Sequence, residues 1–287
     1  MWEWVFSHEP MLRFGAFFVV LVVMAVWELV AERRQLRYSR RTRWYANLGL
    51  AVVGSLVARL VFPAAAVGMA VVAEGEGWGL LHQIEIPYPW VMILSVVLLD
   101  LAIYLQHVMF HAVPILWRFH LVHHADQDFD FTSGIRFHPV EILLSVVIKF
   151  TVIVALGPPP EAVLIFAVVL NATAMFNHGN VRIPRTLDRW LRWLVVTPDM
   201  HRVHHSVVIN ESNSNFGFNL PWWDRLLGTY RDQPAAGHKN MKIGVEHLQE
   251  EPPRGLGGVL VLPFQGKMGP YSIPFRDSTS EGPEKES

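Results

Sequence analysis

The chain contains no cysteine, which excludes disulfides, iron–sulfur clusters, haem-thiolate ligation and zinc-thiolate sites. Any metal is therefore held by nitrogen and oxygen. Charge is scarce too: Asp, Glu, Lys and Arg make up 17% of the residues, against roughly 25% in an ordinary soluble domain. Together with a 52% hydrophobic content, that places the chain among membrane proteins. The few charges nearly cancel, at a formal −1, so there is no basic field of the kind that draws nucleic acid. The first apolar stretch, Phe14 to Val30, also lacks the marks of a secretory leader. It follows the acidic Glu3 and Glu9, and RRQLRYSRRTR stands after it where small residues would mark cleavage. It is expected to be a retained span.

What the chain does have is long apolar runs. A hydrocarbon core of ~30 Å needs ~20 helical residues. Residues 11 to 31 and 89 to 110 meet that length, and residues 140 to 156 and 161 to 177 give two shorter spans separated by GPPPE. Residues 45 to 73 are apolar but interrupted by Arg59 and Pro63, which predicts a kinked span or two half-spans. The expected fold is an all-α membrane bundle of four to five spans with a cytoplasmic His-rich metal-binding cap, a single membrane domain over residues 1–287, with a disordered tail at about 276–287. Arg33, Arg34, Arg37, Arg40, Arg41 and Arg43 crowd the first connection, so it is expected on the cytoplasmic side. Beyond residue 179 the chain turns amphipathic and Trp-rich (Trp190, Trp193, Trp222, Trp223), as helices lying at the membrane interface do.

Histidine is concentrated in words. HLVHH (120 to 124) and HRVHH (201 to 205) repeat one pattern, and with 14 His in 287 residues such a triplet arises by chance only about 0.03 times. HVMFH adds His107 and His111, whose i, i+4 spacing puts both rings on one helical face. In each five-letter word the i, i+3 pair shares a face and the adjacent His points about a quarter-turn away, so His120, His123 and His124, and likewise His201, His204 and His205, can serve two neighbouring ions. FHPVE supplies His138 and Glu141, and FNHGN supplies His178, for ten candidate ligands in all. Counting crossings from the Arg-rich connection puts every one of them at the same, cytoplasmic, edge of the bundle. Asp100 and Tyr104 lie on the face of His107 one and two turns back; Asp100 could fix a ligand tautomer or pair with Arg59. Asp224 could orient a ligand or cap a helix. Asn213 and Asn215 are expected to shape a turn, and His8, His82, His238 and His247 to be surface residues. Imidazole-rich sites with open positions suit zinc, copper or iron.

The ordered set Asp100, Tyr104, His107, His111, the two H-x2-H-H words, FHP and the closing FGFNLPWWDRLLGTY resembles the fatty acid hydroxylase superfamily, also called the sterol desaturase family, over about residues 95 to 231. The resemblance implies a membrane-embedded non-haem di-iron oxygenase: two Fe ions (with zinc possible as purified), O2 as co-substrate, and a lipid such as a fatty acyl chain, sterol, ether lipid or carotenoid hydroxylated or desaturated. Ligand roles carry over to His107, His111, His120, His123, His124, His201, His204 and His205, with His178 as a further one and His138 matching the sterol and ether-lipid branches. Val108 and Ala174 depart from the pattern, the latter standing where fatty-acyl hydroxylases carry a second His. No cytochrome-like haem-binding domain is visible in the chain, so the electron donor (reductase, ferredoxin or cytochrome-type) is expected to be separate. The alternative from another class is a non-enzymatic His-rich membrane metal-binding or transport protein, which would need polar residues through successive spans. A zinc hydrolase is disfavoured by the lack of H-E-x-x-H or a Ser-centred elbow.

Overall fold

A computed structural model describes residues 2–63, 65–266 and 269; the expected disordered tail lies outside them. The described residues are helical, with no strand beyond two isolated bridges, Glu32 to Val181 and Ser206 to Ile243. A short α1 (Trp2–Ser7) leads into α2 (Glu9–Val30), α3 (Arg40–Val61), α4 (Ala66–Gly75) and α5 (Tyr88–Ala112). Then come α6 (Pro114–His124), α7 (Pro139–Leu156), α8 (Pro160–Asn177), α9 (Arg185–Leu191) and α10 (Pro198–His204). The chain closes with α11 (Ile209–Ser212), α12 (Trp222–Leu226), α13 (Gly237–Asn240) and α14 (Gly255–Val261).

Among the described residues, five stretches are long and apolar enough to cross a membrane: α2, the run Arg40–Gln83, α5, α7 and α8. Proline sets several of the starts. Pro114, Pro139, Pro160 and Pro198 each open a helix, where the missing N–H leaves no partner wanting and φ is already helical. Gly157 ends α7 in the left-handed conformation at φ 65°, the usual αL stop, and the Pro run then turns the chain into α8. The sequence expectation of an interrupted second span is met at Pro63, which separates α3 from α4. Arg59 does not interrupt anything. α3 instead starts earlier than expected, at Arg40, because Arg43 is buried against acids of the cap.

The lipid-facing surface is read from exposed apolar stripes such as Phe14, Phe18, Val22 and Leu29 on α2, and Val52, Leu56 and Leu60 on α3. Between the spans, one apolar core joins α4, α5, α7 and α8 through Ala70, Leu99, Ile103, Ile153, Val163 and Phe166. The C-terminal ends of α2, α5 and α8 and the N-terminal ends of α3 and α7 meet at one end of the bundle. There they are tied to the cap by buried polar contacts. Glu28 at the end of α2 accepts from the backbone N–H of Phe131 (2.8 Å) and of Asn180 (2.7 Å). Arg43 grips Asp126 through two hydrogen bonds (3.0 and 2.7 Å) and also pairs with Asp130. Arg136 donates to the Val122 carbonyl within HLVHH (2.8 Å) and to Asn47 (2.7 Å). These pairs are buried and hydrogen-bonded on both partners, the condition under which buried charge is tolerated.

Candidate metal centre

The three histidine words converge where α5, α6 and α10 meet. α5 has 25 residues and is about 37 Å long, so about 7 Å of it emerges from a ~30 Å hydrocarbon layer. That emergent end carries His107 and His111. α6 turns back from Val113 and presents His120, His123 and His124, while α10, capped by Thr197 accepting from Met200 N–H, presents His201 and His204, with His205 as its C-cap.

The imidazoles sort into two adjoining groups: His107, His111, His120, His124 and His204 in one, and His123, His178, His201 and His205 in the other, each with its ligand-capable atoms within 4.8 Å of one another. All nine are buried. The groups touch through His124, whose ring stacks on His205 at 4.5 Å between centroids. Adjacent residues of each word go to different groups, but so do the i, i+3 residues expected to share a face: it is the i, i+4 pairs, His120 with His124 and His201 with His205, that stay together. Burial holds His120 and His178 near a pKa of about 3 and pushes His123, His124, His201, His204 and His205 well below 6.5. These rings are therefore neutral, the state in which imidazole ligates metal.

Several rings are locked by what their Nδ1 touches. His107 donates to the Phe216 carbonyl (2.8 Å), His204 to the Ser214 carbonyl (2.8 Å), and His178 to the Ala174 carbonyl (2.8 Å). His111 donates to Asn213 Oδ1 (3.3 Å), and His120 to Glu141 Oε1 (2.7 Å). Because His120 is neutral, the last contact is a hydrogen bond rather than an ion pair. With Nδ1 protonated, each Nε2 is a bare acceptor. Yet the Nε2 atoms of His107 and His120 face each other at 3.1 Å, as do those of His111 and His124, and of His123 and His178. Among the described residues, both ring nitrogens of His201 and His205 and Nε2 of His204 have no hydrogen-bond partner at all. Lone pairs converging in a dry interior are unfavourable unless a cation sits among them. The donor set thus fits metal.

The segment 213–216 is the part that residue-type reasoning underrated. Asn215 adopts φ 53°, a left-handed conformation that Asn tolerates better than most residues. Its side chain holds that turn by donating to Met200 O (2.9 Å) and Arg231 O (2.8 Å). The turn aims the carbonyls on either side of it, Ser214 and Phe216, at two different histidines. Asn213 does more than shape the turn, since its oxygen meets His111. Asp224 neither orients a histidine directly nor caps a helix; it accepts from the backbone N–H of Phe216 and Gly217 (2.8 Å each) and from Thr229 Oγ1 (2.7 Å). Gly217 is required there, because a Cβ would stand 2.6 Å from Asp224 Oδ2. Tyr104 joins the same cluster through Thr229 (2.9 Å). Asp100 accepts from Leu220 N–H and the Trp223 indole, not from Arg59, so its role is to hold this loop rather than a ligand tautomer.

His138 is brought to neither group. Its Nδ1 caps α7 by accepting from Val140 N–H (3.2 Å), and its Nε2 donates to the Leu260 carbonyl (3.1 Å), so both nitrogens are already engaged with backbone. His238, expected at the surface, is buried and lies 3.7 Å from Asp199. Asp199 in turn is gripped by Arg33 and pairs with Arg202 of HRVHH. Arg202 also donates to the Gly179 carbonyl (3.2 Å), which ties α10 to the turn carrying His178.

The architecture and the site together define a multi-pass helical membrane protein whose bundle ends in two adjoining clusters of neutral imidazoles built to hold metal. Residues 92–229 match the fatty acid hydroxylase family, and the chain belongs to the fatty acid hydroxylase superfamily. Ornithine lipid hydroxylase OlsE of Rhizobium tropici is 33% identical over 157 residues, which is 55% of this chain and 46% of that protein. The alkylglycerol monooxygenase of Xenopus tropicalis is 30% identical over 156 residues, 53% of this chain and 34% of its own length. Cholesterol 25-hydroxylase of Rattus norvegicus is 30% identical over 149 residues, 50% of this chain and 48% of that protein. The matched stretch spans between a third and a half of these curated relatives. No solved structure matches the chain.

Proposed function

We propose that this chain is a membrane-bound non-haem di-iron oxygenase that hydroxylates a lipid drawn from the bilayer, using O2 and electrons from a separate donor. The observation that carries this reading is the 3.1 Å approach of the His107 and His120 Nε2 atoms while both Nδ1 atoms are occupied by fixed acceptors. A cation between them relieves that contact; the Nε2 atoms of His111 and His124, and of His123 and His178, also face each other at 3.1 Å, with one Nδ1 of each pair fixed. His107, His111, His120, His124 and His204 would hold one iron, and His123, His178, His201 and His205 the other. His138 stays outside the ligand set and caps α7. Iron bound there supplies activation of O2 toward an unactivated C–H bond.

The protein's own part is to fix and to dry. Backbone carbonyls, Asn213 and Glu141 hold five of the nine rings, His107, His111, His120, His178 and His204, by Nδ1 so that Nε2 is left for metal, which restricts ligand geometry before metal arrives. Phe216 lies against His107, His111 and His204, and Phe218 against His107, His178 and His201; these rings keep water away from the ligands. Phe218 also belongs to the apolar core that runs between the spans, so the centre borders on apolar packing rather than on water. The relatives named above are a hydroxylase of ornithine lipid, a monooxygenase of alkylglycerol and a hydroxylase of cholesterol. Those lipids differ in their headgroups while all three names denote insertion of oxygen, so hydroxylation is favoured over desaturation. The Arg-rich connection Arg33 to Arg43 argues for a cytoplasmic metal side, where a soluble or membrane-bound donor reaches it.

The test pairs metal with product. Protein purified from iron-57-supplied cells should hold two irons per chain by Mössbauer spectroscopy, and cells given ¹⁸O₂ should accumulate a lipid carrying one labelled oxygen. H123A and H204A should abolish both the label and one iron. Full metal without a labelled lipid would instead favour the non-enzymatic metal-binding alternative.

A further inference from the structure

The segment after α8 leaves a row of apolar side chains uncovered. Along α9 and the turn that follows, Leu187, Trp190 and Leu194 recur at the i, i+3, i+7 spacing of one helical face, and they are 51%, 74% and 67% exposed. Leu226 on α12 continues the patch and is 73% exposed. The two pieces form one unit, because the Trp222 indole donates to the Trp193 carbonyl (2.7 Å) and Arg225 donates to the Arg192 carbonyl (3.1 Å). A contiguous patch of this kind marks an interaction surface.

Its depth identifies the partner. The unit packs against the flank of the bundle, where Leu220 N–H and the Trp223 indole donate to Asp100 Oδ2 (3.2 and 2.8 Å) and the Thr173 hydroxyl reaches Asn219. Asp100 lies twelve residues into α5 and Thr173 thirteen into α8, about 18 and 20 Å from the far ends of those spans at 1.5 Å per residue. The far end of α5 carries the exposed Tyr88 and Trp90, the position of an interfacial aromatic belt. A hydrocarbon layer ~30 Å thick that begins there extends about 10 Å past Asp100 toward the metals. The 219–227 stretch therefore lies at hydrocarbon depth.

We propose that α9 and α12 form a lip sunk into the metal-side leaflet, with the Leu187, Trp190, Leu194 and Leu226 side chains among the acyl chains and the exposed Arg185 and Arg189 at the level of the lipid phosphates. The bilayer is the occupant because the unit is tied to α5 and α8, spans that expose Leu105 and Val169. An insertion of about 5–10 Å is what amphipathic interfacial helices reach. The same loop turns Phe216 and Phe218 inward onto the imidazoles, so a single loop separates this lip from the metal centre.

The absence of cysteine makes the test clean. Single cysteines L194C and L226C, with F18C as a lipid-facing reference and Q35C as a water-exposed one, are labelled with a nitrobenzoxadiazole fluorophore. The full chain is then reconstituted into phosphatidylcholine–phosphatidylglycerol vesicles. Labels at 194 and 226 should be quenched by bromine on the acyl chains as at 18, and by iodide about fivefold less than at 35. Iodide quenching equal to that at 35 overturns the proposal in favour of a water-exposed platform. Protection from both quenchers overturns it in favour of a protein partner or a second copy.

Discussion

Among the described residues Glu141 is the one carboxylate in hydrogen-bond contact with a candidate ligand, which makes E141Q an informative perturbation. Its Oε1 accepts from His120 Nδ1 at 2.7 Å, and both side chains are buried. A hydrogen bond to a charged group contributes about 1.5–3 kcal/mol, and at 1.36 kcal/mol per decade that amounts to about 10- to 100-fold in affinity, the range that outer partners of metal-bound histidines carry. Gln keeps the shape and one acceptor oxygen, so E141Q should fall near tenfold; E141A removes the contact and should approach a hundredfold. His120 belongs to the five-histidine group alone, so the loss should fall on one ion. The assay is metal retained per chain across a chelator titration, which should turn from one step into two, the weaker step holding half the metal. Equal weakening of both ions, or retention unchanged from the parent chain, would refute the assignment of Glu141 to one group.

Four further outcomes are expected. D224A strands the buried N–H groups of Phe216 and Gly217, which costs at least about 2 kcal/mol; thermal unfolding in detergent should show a lowered Tm, and an unchanged Tm refutes the anchoring role. H138A should leave metal content untouched and lower stability by about 1 kcal/mol, as loss of an N-cap does; loss of metal would return His138 to the ligand set. N215A should weaken metal binding without touching a ligand, because the turn aiming Ser214 and Phe216 is lost; metal content at parent level would count against that account. The metal-stripped protein should be acid-labile: His120 and His178 stay near a pKa of about 3 when folded, against about 6.5 unfolded. The unfolded chain takes up protons first, so stability is complete above pH 6.5 and declines as the pH falls toward 3, by about 1.4 kcal/mol per ring at pH 5.5. A pH-independent Tm between 7 and 5.5 contradicts this.

The spans and the histidine words were legible because both are periodic. Apolar runs located α2, α5, α7 and α8 to within about two residues at each end, and the spacing of the words split adjacent histidines between two groups, although it paired i with i+3 where the structure pairs i with i+4. What was illegible depends on partners distant in sequence. The N-terminal turn of α3 looked like a cytoplasmic loop because Arg40, Arg41 and Arg43 read as solvated charge, whereas Arg43 is matched by Asp126 and Asp130 more than eighty residues away. His238 carried no local sign that Asp199 would cover it. The carbonyls of Ser214 and Phe216 could not be found from residue type, since every residue has one. The Asn-Ser-Asn run was the available clue, because Asn is the residue that turns a chain left-handed without glycine. His138 misled for the opposite reason: a His followed by Pro at a helix start resembles a ligand in sequence and serves as a cap in space.

The choice of imidazole for every ligand has an electrostatic consequence that reaches back to Glu141. Neutral rings donate lone pairs but cancel no charge, so two divalent ions would introduce buried positive charge that the nine histidines leave uncompensated. The nearby acids are already committed: Asp126 and Asp130 to Arg43, Asp199 to Arg33 and Arg202. Glu141 is not, since one of its oxygens meets His120 and the other has no hydrogen-bond partner among the described residues. With the ions in place an ionised Glu141 would act on the five-histidine group both by fixing a tautomer and by opposing charge. E141Q separates the two effects, because the amide retains the first and loses the second. The four-histidine group has no such carboxylate in contact, so it is the less compensated of the two and the one at which an added anion, such as azide, should bind first.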